Sequence, residues 1–175
     1  EHLIGLGHRN IAHIDGGKAP GAPERRTGYR SAMRRAGLTP LVIPGGPTES
    51  DGITAAHRLL TEAPHITAVA AFNDATAIGL LHALHQTGRQ APTNLSVIGY
   101  DNTTAARQPH INLTTIAQDF EQLANNAVRR LISRIGGQPV GRETPALPVL
   151  VTRSTTSEHP KGHSETTRST HETRT

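Results

Sequence analysis

The chain has 175 residues, a formal net charge of +4 and 34% hydrophobic residues, which is enough apolar surface for a folded core. It contains no cysteine, so disulfides and thiolate chemistry are excluded, and no apolar run reaches the ~18 residues that a membrane span needs. Its Arg and Lys residues are scattered along the chain, which argues against a nucleic-acid-binding surface on this part of a protein.

Short apolar runs alternate with amphipathic stretches along the sequence. The predicted elements are, in chain order, the end of a helix at 1–6, a strand at 10–14, a helix at 24–36, a strand at 41–43, a helix at 50–62, a strand at 67–72, a helix capped by Asp74, a strand at 95–98, a long helix opened by Asp119 and an extended segment at 147–151.

This alternation predicts an α/β fold, in which a parallel sheet is covered by helices on both faces. In open parallel sheets, ligands bind outside the carboxyl ends of the strands. Three polar groups follow predicted strands and are therefore candidates for ligand contact: residues 15–18, 73–74 and 100–102.

Six short segments resemble, in the same order, segments of the LacI/GalR family of transcription regulators. They are 2–12 (HLIGLGHRNIA), 24–30 (ERRTGYR), 71–79 (AFNDATAIG), 95–102 (LSVIGYDN), 113–118 (LTTIAQ) and 151–156 (VTRSTT). Each segment alone is a weak signal, but six in the family's order over residues 2–156 make chance agreement improbable.

The resemblance implies a periplasmic-binding-protein-like type I fold, in which three crossovers join two Rossmann-like α/β lobes and the effector lies between them. Residues 1–113 would form the second lobe, 114–118 a crossover, 119–149 a helix and strand of the first lobe, and 150–156 the return crossover. A DNA-binding headpiece and most of the first lobe would precede Glu1. Residues 157–175 contain no aliphatic side chain and are predicted to be a disordered tail.

Four polar residues match family positions that the resemblance assigns to effector contact: Arg25, Asn73, Asp101 and Gln118. The planar fork of an arginine can donate to sugar hydroxyls or to a purine carbonyl, and an ionised aspartate can accept from two adjacent hydroxyls.

The family often places an aromatic ring beside the loop after the second strand. Here that loop is Pro44-Gly45-Gly46-Pro47, without a ring, and we expect Phe72 and Tyr100 to substitute for it in part.

The same side chains also have plainer interpretations. Asp74 is better explained as a helix N-cap, and for Asn73 a turn role is as good as ligand contact. Asp101 could order the turn that follows its strand. Arg25 could be a solvated helix charge, since other arginines lie close by.

Leu80, Leu81 and Leu84 match a helix that forms part of the dimer face in the family, although core packing explains Leu81 and Leu84 equally well. No catalytic, cofactor or metal site is predicted. Residues 15–18 lack the spacing of a phosphate loop, and His82 and His85 have no third metal ligand with a telling spacing.

The sequence therefore predicts the effector-sensing part of a cytoplasmic, dimeric transcription regulator, most simply a repressor. A sugar is the favoured effector, with a purine or nucleoside as the other class, and operator DNA would be bound only through the headpiece. An extracellular sugar-binding protein of a transporter is the alternative function, and an enzyme with an unrecognised site is a weaker one.

Overall fold

The computed structural model describes residues 1–139 and 145–159. One sheet of six strands has the order β2-β1-β3-β4-β5-β6. The strands are β1 Ile11–Ile14, β2 Leu41–Ile43, β3 Ala68–Ala71, β4 Ser96–Tyr100, β5 Thr114–Ala117 and β6 Val149–Val151. The helices are α1 His2–Gly5, α2 Ala22–Arg35, α3 Glu49–Glu62, α4 Asp74–Gln86 and α5 Phe120–Ile135, with a 3-10 turn at Ala105–Arg107.

The first five strands are parallel, which confirms the α/β fold expected from the sequence. Because successive strand residues point to opposite faces of the sheet, these strands contribute side chains to two hydrophobic clusters, one on each face. Val69 and Val97 pack with α3 and α4 on one face, whereas Ala68 and Ile98 pack with Leu3 and α2 on the other.

Helices α3 and α4 touch through two glycines, Gly52 and Gly79. A Cβ atom on Gly79 would lie 2.0 Å from the Glu49 carbonyl oxygen, and one on Gly52 would lie 2.2 Å from the Thr76 carbonyl oxygen. Since neither distance leaves room for a side chain, the two helix backbones approach as closely as glycine allows.

This close packing corrects the predicted dimer face at Leu80 and Leu84, while a dimer contact by Leu81 stays a prediction. Leu80 and Leu84 are 0% and 1% exposed and belong to the core between the sheet and the two helices, so neither offers a surface to a partner. Leu81 is partly exposed and packs at the edge of that core. The sequence pattern did not indicate that Leu80 is buried. Ala77 and Ala83 share its buried face of α4, and these small residues carry little hydrophobic signal.

The two segments predicted as crossovers lie side by side. Strand β5 is parallel to β4, and β6 is antiparallel to β5, with Thr115 opposite Val151 and Ala117 opposite Val149. Helix α5 begins after Asp119, whose carboxylate accepts a hydrogen bond of 2.9 Å from the Gln122 amide. The assignment of 119–149 to another lobe stays a prediction.

The predicted start of the disordered tail, at Ser157, is too early in the chain. Residues 157–159 lie against the lobe, where the Ser157 amide donates to Ser96 Oγ at 3.1 Å and the His159 amide donates to the Leu6 carbonyl at 2.8 Å. Composition missed this anchoring because backbone groups, rather than aliphatic side chains, make the contacts. Residues 160–175, the rest of the predicted tail, lie outside the described residues.

A buried histidine holds this C-terminal segment. His8 is 3% exposed, its Nε2 donates to the Ser157 carbonyl at 3.0 Å, and its Nδ1 lies 2.9 Å from Thr67 Oγ1. The ring stacks on that of His159, with 5.3 Å between centroids. Burial lowers the pKa of His8 below its ordinary value, although the hydrogen bond to the Ser157 carbonyl acts in the opposite direction. The nearby His159 and His2 also lower this pKa.

We therefore expect the free energy of unfolding to fall as the pH drops below about 6.5. In that range the unfolded chain binds a proton at His8 while the folded chain does not, so protonation favours unfolding. Urea denaturation between pH 7.5 and 5 should show a flatter pH dependence for His8→Gln than for the parent chain. His57→Gln, which changes an exposed histidine of α3, should leave the slope unchanged; equal slopes in both variants would contradict the prediction.

Candidate functional site

Five of the six predicted effector residues meet at the carboxyl edge of the sheet. Arg25 lies in the first turn of α2, which follows β1. Phe72 follows β3, Tyr100 ends β4 with Asp101 directly after it, and Gln118 follows β5. Parallel strands bring these positions together because their carboxyl ends share one edge.

Asp101 is the centre of the group. Gln118 Nε2 donates to Asp101 Oδ1 at 2.7 Å, and Arg25 Nη2 donates to the same oxygen at 3.3 Å. The other terminal nitrogen of Arg25 donates to the Phe72 carbonyl at 2.6 Å. One guanidinium therefore joins the ends of β3 and β4, an arrangement that suits its planar fork of donors.

The two aromatic residues contact this guanidinium. Its carbon atom lies 3.8 Å from the centroid of the Tyr100 ring and 4.5 Å from that of Phe72, which places both rings within cation–π range. The Phe72 ring also rests on the Gly16 backbone, where an added Cβ atom would lie 2.4 Å from the ring. The aromatic residues thus orient Arg25, in addition to the part in ligand contact expected of them.

The electrostatic balance of the site depends on burial. Desolvation raises the pKa of Asp101 above its ordinary value, while Arg25 and the hydrogen bond from Gln118 act in the opposite direction. The side chains of Arg25 and Asp101 remain 20% and 25% exposed, so a small molecule can reach both. The site offers a cationic donor, an acidic acceptor and an amide within one cluster.

Asn73 is not part of this cluster. Its Oδ1 accepts from the Thr76 amide at 2.8 Å, and its Nδ2 donates to the Pro47 carbonyl at 2.9 Å. Asn73 is therefore the N-cap of α4, which corrects the predicted cap at Asp74. An effector contact by Asn73 stays a prediction. Its backbone is extended, as an N-cap requires, and the side chain turns back onto the helix.

Asp74 has a structural task instead. It is 0% exposed and accepts from the Thr103 amide at 2.7 Å and from Thr115 Oγ1 at 2.5 Å. These bonds tie the start of α4 to the turn after β4 and to β5. The sequence suggested Asp74 as the cap because an acidic residue stands at the start of the helix. In the structure its carboxylate accepts from Thr103 and Thr115 instead.

Sequence reasoning missed a second ion pair at the same edge. Arg26 donates to Asp15 Oδ2 at 2.6 Å, and the buried His13 Nδ1 donates to the Ala70 carbonyl at 2.8 Å. The sequence indicates Asp15 only as a member of the strand-end group 15–18, a candidate for ligand contact, and not as an ion-pair partner. The pairing could not be predicted from the sequence, because Arg25 and Arg26 are neighbours in the chain. Only the directions in which their side chains leave the helix decide that Arg26 reaches Asp15 and Arg25 reaches Asp101.

A cavity of about 590 Å³ lies beside the cluster, between α2 and the sheet. Arg25 and Tyr100 line it together with apolar residues that include Met33, Ile98 and Leu150. Within residues 1–139 and 145–159 no group of three or more His, Asp or Glu side chains is placed to hold a metal ion. Among the described helices, none is long and apolar enough to cross a membrane.

Replacing Arg25 with lysine is expected to weaken small-molecule binding about tenfold. The ammonium group of lysine lacks the planar set of donors with which the guanidinium bonds the Phe72 carbonyl and Asp101 at the same time. Calorimetric titration of the full-length protein with D-ribose and cellobiose measures the change. Arg30→Lys, an exposed change on the same helix, is the matched control and should bind as the parent does. Equal affinities for Arg25→Lys and the parent would remove Arg25 from the site.

Comparison with known proteins gives consistent matches. The model of the periplasmic binding protein-like domain family matches residues 1–156. The regulator CelR of Thermobifida fusca is 36% identical over 142 residues, covering 79% of this chain and 42% of the relative. The ribose operon repressor of Escherichia coli K12 is 40% identical over 143 residues, covering 77% of this chain and 42% of the relative. The chain thus spans about two fifths of these relatives.

Known structures share the fold. A LacI transcriptional regulator from a Rhodococcus species superposes with a TM-score of 0.84 at 45% identity, covering 90% of this chain and 59% of that one. A complex of the regulator CelR with cellobiose superposes with a TM-score of 0.80 at 34% identity, covering 88% of this chain and 49% of that one.

Proposed function

We infer that this chain, which belongs to the LacI family of periplasmic-binding-protein-like effector cores, binds a small sugar and thereby controls a cytoplasmic transcription regulator. The observation that carries the proposal is the meeting of Arg25, Asp101 and Gln118 at one edge of the sheet. These side chains are exposed enough to exchange their present partners for those of a ligand.

The chemistry of the cluster favours a sugar over a charged effector. Asp101 and Arg25 oppose each other in charge, and a neutral ring with adjacent hydroxyls supplies both donors and acceptors to such a pair. Two related proteins support this class by name: a ribose operon repressor and a CelR structure that holds cellobiose. Transcriptional repressors named PurR are also among the relatives. A purine, whose carbonyl could accept from Arg25, is the second ligand class to test.

Binding would act through the two crossovers. Gln118 follows β5 directly and contacts Asp101, so a ligand that engages Asp101 also acts on the chain that leaves the lobe. A change in crossover geometry is the step that would alter the spacing of two DNA-binding headpieces in a dimer. Coupling between sites of this kind is typically about 1–3 kcal/mol.

The decisive experiment uses the full-length protein and its operator DNA. Calorimetric titration with D-ribose, cellobiose and hypoxanthine, each with and without operator, should show one ligand whose affinity changes at least about fivefold in the presence of DNA. Linkage requires the operator affinity to change by the same factor. A protein that binds none of these ligands, or binds one without any effect on operator affinity, would refute the proposed function.

A further inference from the structure

The turn that presents Asp101 has an unusual backbone. Asp101 has a φ of 110° and Asn102 a φ of 54°, so two consecutive residues with side chains occupy the region that glycine favours. Such conformations cost free energy and persist only where the surrounding structure holds them. The direction of the Asp101 carboxylate therefore depends on whatever fixes this turn.

Arg153 contacts the turn from the far end of the chain. Its Nη2 donates to Asn102 Oδ1 at 2.7 Å and its Nη1 donates to the Leu113 carbonyl at 2.6 Å. The two terminal nitrogens thus join the turn after β4 to the residue before β5. Arg107 also donates to the Asn102 carbonyl, at 3.0 Å, but from an exposed position.

The backbone that carries Arg153 is itself fixed. The Arg153 amide donates to Thr114 Oγ1 at 2.9 Å. Two residues later, Thr155 is 3% exposed, its hydroxyl donates to the Val97 carbonyl at 2.7 Å, and its carbonyl accepts from the Val97 amide at 2.7 Å. The guanidinium therefore reaches Asn102 from a segment bonded to both β4 and β5.

We propose that Arg153 is a positioning residue that holds the Asp101–Asn102 turn in the left-handed conformation, so that the Asp101 carboxylate faces Arg25 and Gln118. Arg153 lies two residues after the end of β6, in the segment predicted as the return crossover. Arg153 thereby acts on the Asp101 carboxylate indirectly, through Asn102, whereas Gln118 of the first predicted crossover contacts that carboxylate directly. For its effect on ligand affinity, the proposal rests on the proposed function.

The test compares Arg153→Gln with Arg58→Gln, an equal loss of charge at an exposed ion pair on α3. Residue-resolved hydrogen exchange follows the amides of Asp101 and Thr103, which bond to the Ile116 carbonyl and to Asp74. We expect Arg153→Gln to accelerate exchange at these two amides about tenfold, with β1 and β3 unchanged. Arg58→Gln should leave both regions unchanged.

Binding supplies the second measurement, by calorimetry of the full-length protein with D-ribose and cellobiose. Arg153→Gln should bind about tenfold more weakly than the parent, and Arg153→Lys should stay weak because it lacks the fork. Adding Asn102→Gly to Arg153→Gln should restore part of the affinity, since glycine adopts this φ without strain. A merely stabilising role for Arg153 predicts no such rescue.

Two results would overturn the proposal: unchanged exchange at Asp101 and Thr103, or acceleration that spreads equally over the whole sheet. If the parent protein binds neither sugar, the proposed sugar function fails, and hydrogen exchange alone still decides the role of Arg153. If the parent binds and Arg153→Gln binds equally well, the positioning role fails while the proposed function stands.

Discussion

Asp101→Ala should weaken sugar binding by about 10- to 150-fold, the range that follows from losing one charged hydrogen bond of about 1.5–3 kcal/mol. The carboxylate accepts from both Gln118 and Arg25, so its removal leaves two donors of the site without this acceptor. Calorimetric titration of the full-length protein measures the loss, and the unfolding midpoint shows whether the variant remains folded.

Asp101→Asn separates charge from shape at this position. The amide keeps one acceptor oxygen but cannot accept with both terminal atoms, so an intermediate affinity is expected. Burial raises the pKa of Asp101, so the parent protein should also lose affinity as the pH falls toward that raised value, because protonation removes the acceptor. Parent-like affinity in Asp101→Ala, or a pH dependence that Asp101→Asn retains in full, would exclude the carboxylate from ligand contact.

Gly79→Ala is expected to lower the free energy of unfolding by about 3 kcal/mol, the upper part of the range for overpacked sites. The new Cβ atom would lie 2.0 Å from the Glu49 carbonyl oxygen, and a backbone atom cannot rotate away. The two helices must separate, which disturbs the core around Leu80 and Leu84. Urea denaturation followed by circular dichroism gives the value.

Gly28→Ala is the matched control in another helix. An added Cβ atom at Gly28, within α2, meets nothing within 4 Å. Alanine there should raise the free energy of unfolding by up to about 1 kcal/mol, because it favours the helix more than glycine does. If both glycine variants were equally stable, the close contact between α3 and α4 would not be needed for the fold.

The order of elements was predictable because each strand is a short apolar run and each helix has a clear end. The β4 strand shows the limit of this reasoning: the prediction stopped at Ile98, whereas pairing with β5 carries the strand on to Tyr100. Hydrogen bonds to a neighbouring strand decide such boundaries, and a pairing partner sixteen residues away, as Ile116 is from Tyr100, is not visible in a local pattern.

The meeting of these candidate residues at one edge of the sheet was predictable, whereas their individual contacts were not. Arg25, Asp101 and Gln118 follow different strands, and the parallel topology brings them together. The cap of α4 shows where the reasoning failed, because Asn73 and Asp74 are neighbouring polar residues and either suits a helix cap. Arg153 was missed because it lies 51 residues beyond Asn102 and only the folded chain joins them.

The contact between Arg25 and Asp101 has a consequence for ligand discrimination. In the structure Arg25 already donates to Asp101, so an incoming molecule competes with an existing intramolecular hydrogen bond. Its binding free energy gains only the difference between the new hydrogen bonds and the one they replace. A molecule that presents a donor to Asp101 without an acceptor for Arg25 would leave one charged group without its partner. The cost in free energy is comparable to the gain from the hydrogen bond that the molecule forms. For a ligand that binds at this cluster as proposed, selectivity would therefore come from the exchange of a donor and an acceptor together.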